Sequence, residues 1–299
     1  MTYSIVALDP ETGELGIGVQ THQLAVGALV PWVKGGVGAV ATQSVARASF
    51  GPQILALLEN GLDAAQALDA VLATDGAAVL RQVAVIDRAG HIAVHTGDAC
   101  TAFAGHHCGD HYAVQANMMR RSTVPAAMAK AFEFSRGPLP VRILHALDAA
   151  EAEGGDLRGA QSAALVVRAE GSADDNRHWD FRVDHDPKPL GRLRELLNLR
   201  MAIRLAQGAG RTAPAPSDPN QALAAALAGY DQSQRMAASD ETTFWFAVQT
   251  LAGDLGAIAQ AATLLDALFQ RAPQWLELLH RLPMLRTPTL LERFPRRPN

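Results

Sequence analysis

Cysteine is nearly missing, with Cys100 and Cys108 the only two among 299 residues, too few to staple a small fold with disulfides. Neither sign of charge dominates. Twenty-six basic against 30 acidic residues leave a net −4, which argues against the basic stripe of a nucleic-acid-binding protein. Lysine is scarce, with three residues (Lys34, Lys130 and Lys188). No apolar run approaches the roughly 18–20 residues that cross a bilayer, so no membrane partner is expected. The opening MTYSIVALDP has neither a basic region nor an apolar core with a cleavage site, so it does not read as a signal peptide. What is present is apolar material. Hydrophobic residues make up 48% of the chain, ample for a packed core and unlike a disordered chain. The length suits about two domains. The expectation is a globular, cytoplasmic protein.

Short strands and paired helices fill the first 170 residues. Tyr3–Leu8 and Glu14–Gln20 are β-branched and apolar, with Asp9, Pro10 and Gly13 supplying turn chemistry between them, so they read as an antiparallel hairpin. Val37–Thr42 is a third strand. Gly51–Asn60 and Asp63–Leu72 are helices, the second with an acidic N-cap. Gln82–Asp87 and His91–His95 form a second hairpin, and Tyr112–Ala116 is a further strand. Helices to about Phe134 and over Leu139–Glu153 precede strands Ala163–Arg168 and Trp179–Val183. Hairpins with paired helices are not the alternation of a parallel sheet, and suggest two sheets between helix layers. After Asp186 the chain turns helical. Gly208–Asn220 is rich in Pro, Gly, Ala and Ser and reads as a linker. From Gln221 on, helices are expected over Ala222–Tyr230, Glu241–Ala252, Leu255–Phe269 and Pro273–Leu282. Two of them, joined at Ala252-Gly253-Asp254, look like one tetratricopeptide-type hairpin. The expected division is therefore 1–207, a linker over 208–220, and a helical region over 221–299.

Several segments are more specific than periodicity. They are Thr2-Tyr3-Ser4-Ile5-Val6-Ala7, Gly16–Gln20, Ala25-Val26-Gly27 with Val30-Pro31-Trp32, and Gly36-Val37-Gly38-Ala39-Val40-Ala41-Thr42-Gln43. Then come Arg81-Gln82-Val83, Val114-Gln115-Ala116-Asn117, and Gly154-Gly155-Asp156-Leu157-Arg158-Gly159 leading into Gln161-Ser162-Ala163. In this order they resemble the domain-of-unknown-function 1028 family, which is placed in the N-terminal-nucleophile (Ntn) hydrolase superfamily. The likeness covers roughly residues 2–198, and members also carry a helical C-terminal extension. It implies an α+β fold, a four-layer α-β-β-α sandwich followed by a small helical region. It departs from the family pattern at Ala116, where a glycine is expected.

The resemblance also implies a chemistry. An Ntn hydrolase uses a Ser, Thr or Cys whose own α-amino group, with a reference pKa of ~7.7–8.0, takes the hydroxyl proton. Thr2 would gain a free amine on removal of Met1, and Ser4 lies on the same strand face without that amine. The expected reaction is hydrolysis of a small-molecule amide with no cofactor. The alternative is a catalytically silent scaffold whose C-terminal helices, carrying Trp245 and Phe246, bind a partner protein. A homodimer or higher homo-oligomer is expected on superfamily grounds. An oxyanion hole needs donors aimed at developing charge. Asn117 is the first candidate, with Gln43 and Gln20 as alternatives, and each amide could equally satisfy loop backbone. Lys34 would help depress the amine pKa, or is a solvated surface lysine. Asp156 and Arg158, framed by glycines, would hold a substrate carboxylate or form a structural ion pair.

The segment His106-His107-Cys108-Gly109-Asp110-His111 has residue types that suit zinc. It lacks a paired ligand framework and reads as a loop, so no metal is assigned. The arginines of the tail, Arg286, Arg293, Arg296 and Arg297, read as solvated.

Overall fold

A computed structural model describes residues 2–171, 179–208, 218–282 and 288–295. The chain divides into two compact units, Met1–Leu197 and Asn198–Asn299. Residues 209–217 of the expected linker, and the arginines Arg286, Arg296 and Arg297, lie outside the described residues.

The first unit is built on ten strands among the described residues. Strands β1 (Thr2–Leu8), β2 (Leu15–Thr21), β7 (Gly105–Gly109), β8 (Tyr112–Asn117), β9 (Ser162–Arg168) and β10 (Trp179–Val183) form one antiparallel sheet in the order β10-β9-β2-β1-β8-β7. Strands β3 (Pro31–Lys34), β4 (Gly38–Ser44), β5 (Arg81–Asp87) and β6 (Ile92–Thr96) form the second, in the order β3-β4-β5-β6. Alternation along each strand sorts the side chains. Val6, Leu8, Ile17, Val19, Ala39, Ala41, Ala84 and Ile86 make a dry core between the sheets. Their strand neighbours face helices. Helices α1 (Phe50–Glu59) and α2 (Ala64–Leu72) pack on β4 and β5 through Phe50, Ile54, Leu68, Val40 and Val85. Helices α3 (Val124–Phe134) and α4 (Leu139–Ala152) cover the other sheet. The result is a four-layer α-β-β-α sandwich, the architecture the resemblance implies.

Local chemistry explains several element ends. Asp63 begins α2 by accepting from Gln66 N at 2.8 Å, while the Gln66 side chain accepts from Asp63 N at 3.1 Å, a reciprocal capping box. Gly18 and Gly16 on β2 let α4 lie directly on the sheet, since a Cβ at Gly18 would stand 2.3 Å from Ile143 Cγ2.

Two strands differ from the sequence reading. β7 falls in a segment expected as a loop, and β3 in a stretch to which no strand was assigned; both are edge strands that pair on one side only. The His106–Cys108 stretch is thereby extended and sends successive side chains to opposite faces. Among the described residues no three His, Cys, Asp or Glu side chains come together as a metal-binding group.

Helix α5 (Pro189–Ala206) runs across the boundary between the units. In the second unit α6 (Pro219–Met236) is longer than expected, and α7 (Asp240–Trp245) continues directly into a π-helical stretch, Phe246–Asp254. The expected turn at Ala252–Asp254 lies inside this stretch, and the chain reverses afterwards near Gly256, whose φ is +62°. Then follow α8 (Ile258–Arg271), α9 (Gln274–Arg281) and α10 (Pro288–Arg293). Phe244, Phe246, Leu251, Leu265 and Leu268 form the core of this unit, with Trp245 packed against it. Tyr230 stacks on Phe246 with ring centroids 4.5 Å apart. No helix among the described residues is long and apolar enough to cross a membrane.

Candidate active site

The dry core between the sheets gives way at one end to a layer of neutral polar side chains. Register dictates its membership. Thr2 on β1 lies opposite Asn117 on β8, and Ser4 lies opposite Gln115. On the second sheet Gln43 of β4 faces Gln82 of β5, which in turn faces Thr96 of β6. All six of the first-named residues are buried, Thr2 at 5% exposure and the others at 1% or less.

Gln82 is the hub. Its Oε1 accepts from Gln43 Nε2 at 2.8 Å and from Asn117 Nδ2 at 2.9 Å. The same two amide groups donate to the Thr2 carbonyl oxygen, at 3.2 Å from Gln43 and 3.4 Å from Asn117. Gln82 Nε2 donates in turn to Ala116 O at 3.0 Å and Thr96 Oγ1 at 3.0 Å. The Thr2 hydroxyl donates to Thr21 Oγ1 at 3.3 Å. Ser4 Oγ donates to Gln43 Oε1 at 2.8 Å and accepts from Gln115 Nε2 at 3.2 Å. From Thr96 a 2.9 Å bond reaches Nδ1 of His106, whose partial burial lowers its pKa below the ordinary histidine value by disfavouring the imidazolium.

Backbone strain collects here too. Ser44 and Met118, the residues directly after Gln43 and Asn117, have φ of +69° and +57°. That left-handed conformation costs a non-glycine residue about 1–2 kcal/mol and gathers at functional sites.

The loop after α4 closes the same end. Asp156 is 1% exposed. Its carboxylate accepts from His22 N at 3.1 Å and Arg158 N at 2.9 Å, and takes the Arg158 guanidinium at 3.1 Å. Gly155 carries φ of +54° beneath Glu151, where a Cβ would stand 2.7 Å from Oε2.

Of the residues expected from sequence, Thr2, Asn117 and Gln43 come together, with Asp156 and Arg158 in the loop nearby. Two do not join them. Gln20 lies opposite Tyr3, so it shares the face on which the Tyr3 hydroxyl donates to Glu151 of α4 at 2.8 Å. That is the far side of the sheet from Thr2, and the residue on the Thr2 side is its neighbour Thr21. Lys34 ends β3 at the opposite end of the second sheet, exposed and paired with Glu59 at 2.6 Å. It is a surface ion pair, not a charge beside Thr2. Ala116, the departure from the family pattern, faces Tyr3, so its methyl points away from Thr2. Gln82, Thr21 and Gln115 escaped the sequence reading as site residues. Gln82 and Gln115 stood in segments that carry the resemblance, and a glutamine on the inward register of a strand was the available signal.

Among solved structures the chain is similar to protein SPO2555 from Silicibacter pomeroyi, a DUF1028 protein, with 31% identity and a TM-score of 0.60 over 66% of this chain and 84% of that one. A distant likeness, at 11% identity and a TM-score of 0.34 over 64% of this chain and 91% of that one, is to Anbu (ancestral beta-subunit) from Yersinia bercovieri. No curated protein matches. Residues 2–193 match the family of unknown function DUF1028, and with that span and the SPO2555 likeness, the chain belongs to the DUF1028 family.

Proposed function

We propose that the first unit is an Ntn-type amidohydrolase acting on a small-molecule C–N bond, with Thr2 as nucleophile. The observation that carries the reading is the place of Thr2. It begins a central strand, its hydroxyl lies in a strained, polar end of the inter-sheet layer, and two side-chain amides grip its carbonyl. Removal of Met1 would free the α-amine beside that hydroxyl. Burial among neutral amides favours the neutral amine over the ammonium, the form that can take a proton. Thr2 Oγ1 would then attack a substrate carbonyl, the amine would carry the proton to the leaving nitrogen, and water would release the acyl group. Gln43 and Asn117 would position Thr2, and Arg158 would meet a substrate carboxylate while Asp156 orders its loop. A homodimer is the default assembly.

One observation favours the rival reading of a silent scaffold. Both amide groups beside Thr2 already donate to Thr2 O and Gln82 Oε1, so neither has a donor to spare for an oxyanion. Of the aromatic pair that motivates partner binding, Phe246 is 1% exposed in the core of its own unit, and Trp245 is half-buried against that core.

The test combines intact mass with labelling by an acylating β-lactone. A chain that starts at Thr2 and carries the label on Thr2, abolished in Thr2→Ala and retained in Thr2→Ser, is the expected result. Retention of Met1 on protein that hydrolyses amides, or label elsewhere, would overturn the mechanism.

A further inference from the structure

A polar recess lies at the other end of β1. Leu8 is six positions along the strand from Thr2, about 20 Å, so the recess is independent of the Thr2 reading. It has a volume of about 340 Å³ and is walled by the β1–β2 turn, the β7–β8 turn and the start of α4, with Asp9, Glu11, Asp110, His111, Arg136 and Arg142 among its lining residues.

Arg142 is the unusual member. Its side chain is 24% exposed, yet its guanidinium makes no hydrogen bond among the described residues. It lies over the Phe132 ring at 4.4 Å, and its nearest carboxylate oxygen is Asp9 Oδ2, 4.0 Å from Nη1. Its Nε is buried and has no partner among the described residues. A guanidinium held over an aromatic ring, with its Nη groups at the wall of a recess, is a prepared fork for a planar oxyanion. Asp9 is equally uncommitted on one side. Oδ1 accepts from Glu11 N at 3.0 Å, while among the described residues Oδ2 has only the long approach to Arg142. The surrounding walls carry both signs. Arg136 adds a positive charge, and Glu11 and Asp110 add negative ones. His111 is fixed in place by its turn, with φ of +60° and its Nδ1 against Gly90, where a Cβ would clash at 2.5 Å.

A simple anion in this recess would meet three carboxylates, and a simple cation would meet two guanidinium groups. A molecule that carries both signs a few ångströms apart would satisfy both. We propose that the recess binds a small zwitterion of the α-amino-acid class, its carboxylate on Arg142 and its ammonium on Asp9 and Glu11. The volume sits at the small end of ligand pockets, near ~300 Å³, and suits a single amino acid rather than a peptide.

Calorimetric titration of the full chain with L-serine, L-leucine and L-glutamate tests this, each compared with its N-acetyl derivative and its α-amide. Binding of at least one free amino acid, weakened about tenfold or more by loss of either charged end, is expected. Arg142→Met should abolish binding. Glu11→Gln, on the exposed turn, should weaken it with the fold intact, which guards against an Arg142 variant that merely unfolds. Failure of all three amino acids to bind, equal binding of the N-acetyl or amide forms, or binding unchanged in both variants would overturn the proposal. None of these outcomes depends on Thr2, so the hydrolase reading stands or falls separately.

Discussion

Gln82 shows how a single side chain can tie the polar cluster beside Thr2 together. Its carbonyl oxygen collects the amides of Gln43 and Asn117, and those amides hold the Thr2 carbonyl. Gln82→Leu keeps roughly the same bulk and removes the acceptor. Two buried N–H groups would then lack a partner, at about 1–3 kcal/mol for each. Urea unfolding of Gln82→Leu should reveal a loss of that order, with an unaltered denaturant slope. An unchanged midpoint would mean that the amides find other acceptors and that Gln82 is no hub. The residue scale also explains the misplacement of Gln20. Strand side chains alternate, so a shift of one position moves a residue to the other face of the sheet. Gln20 and Thr21 are adjacent in sequence, and of the two only Thr21 shares a face with Thr2. Gln20 is left with both amide atoms buried and, among the described residues, without a partner.

Elements were legible where their pattern is internal. The capped helix at Asp63, the β1–β2 hairpin and the β5–β6 hairpin follow from local chemistry, since turn residues, caps and alternation lie within a few positions of one another. The edge strands β3 and β7 were not legible. β7 reads Gly-His-His-Cys-Gly, with three of its five residues exposed, and nothing in that pattern demands a strand. It is extended because the β8 backbone offers a ladder beside it. The π-helical stretch escaped for a similar reason, because the expected turn at Ala252-Gly253-Asp254 is absorbed into a wider coil whose apolar residues reach the unit's core. Sheet-to-helix contact gives a test at this scale. Gly18→Ala places a methyl 2.3 Å from Ile143 Cγ2 and 3.0 Å from Leu147 Cδ1. Overpacking of this kind costs about 1–3 kcal/mol. Gly13→Ala in the adjoining turn meets no atom within 4 Å, although its φ of +70° carries its own strain. Thermal denaturation should therefore show Gly18→Ala destabilised, and pairing it with Ile143→Val should recover part of the loss. No recovery would place the clash elsewhere.

At the scale of the whole molecule, two phenols fasten the six-stranded sheet to its helices. Tyr3 donates to Glu151 of α4 at 2.8 Å and Tyr112 donates to Glu133 of α3 at 2.6 Å. Burial first, and the neighbouring glutamate second, raise the pKa of both above the ordinary tyrosine value of 10.0. Both phenols stay protonated in the fold at pH values where an unfolded chain would ionise them. Their contribution is thus fully present below pH ~10 and is lost as pH climbs beyond it toward the folded-state values. Urea midpoints measured from pH 8 to 11 should fall above 10, and Tyr3→Phe should flatten the fall. A slope identical to that of the parent chain would assign the alkaline limit to other groups. Composition, turn chemistry and periodicity were enough for the sandwich architecture, the helical character of the second unit and the place of Thr2 at the head of the first strand, because each is written in residues near one another along the chain. Which glutamines meet Thr2, which way Gln20 points, where Lys34 ends up and how Arg142 comes to face Asp9 depend on registers between strands far apart in sequence. Those registers are set by packing two sheets and four helices around shared cores, and no local pattern encodes them.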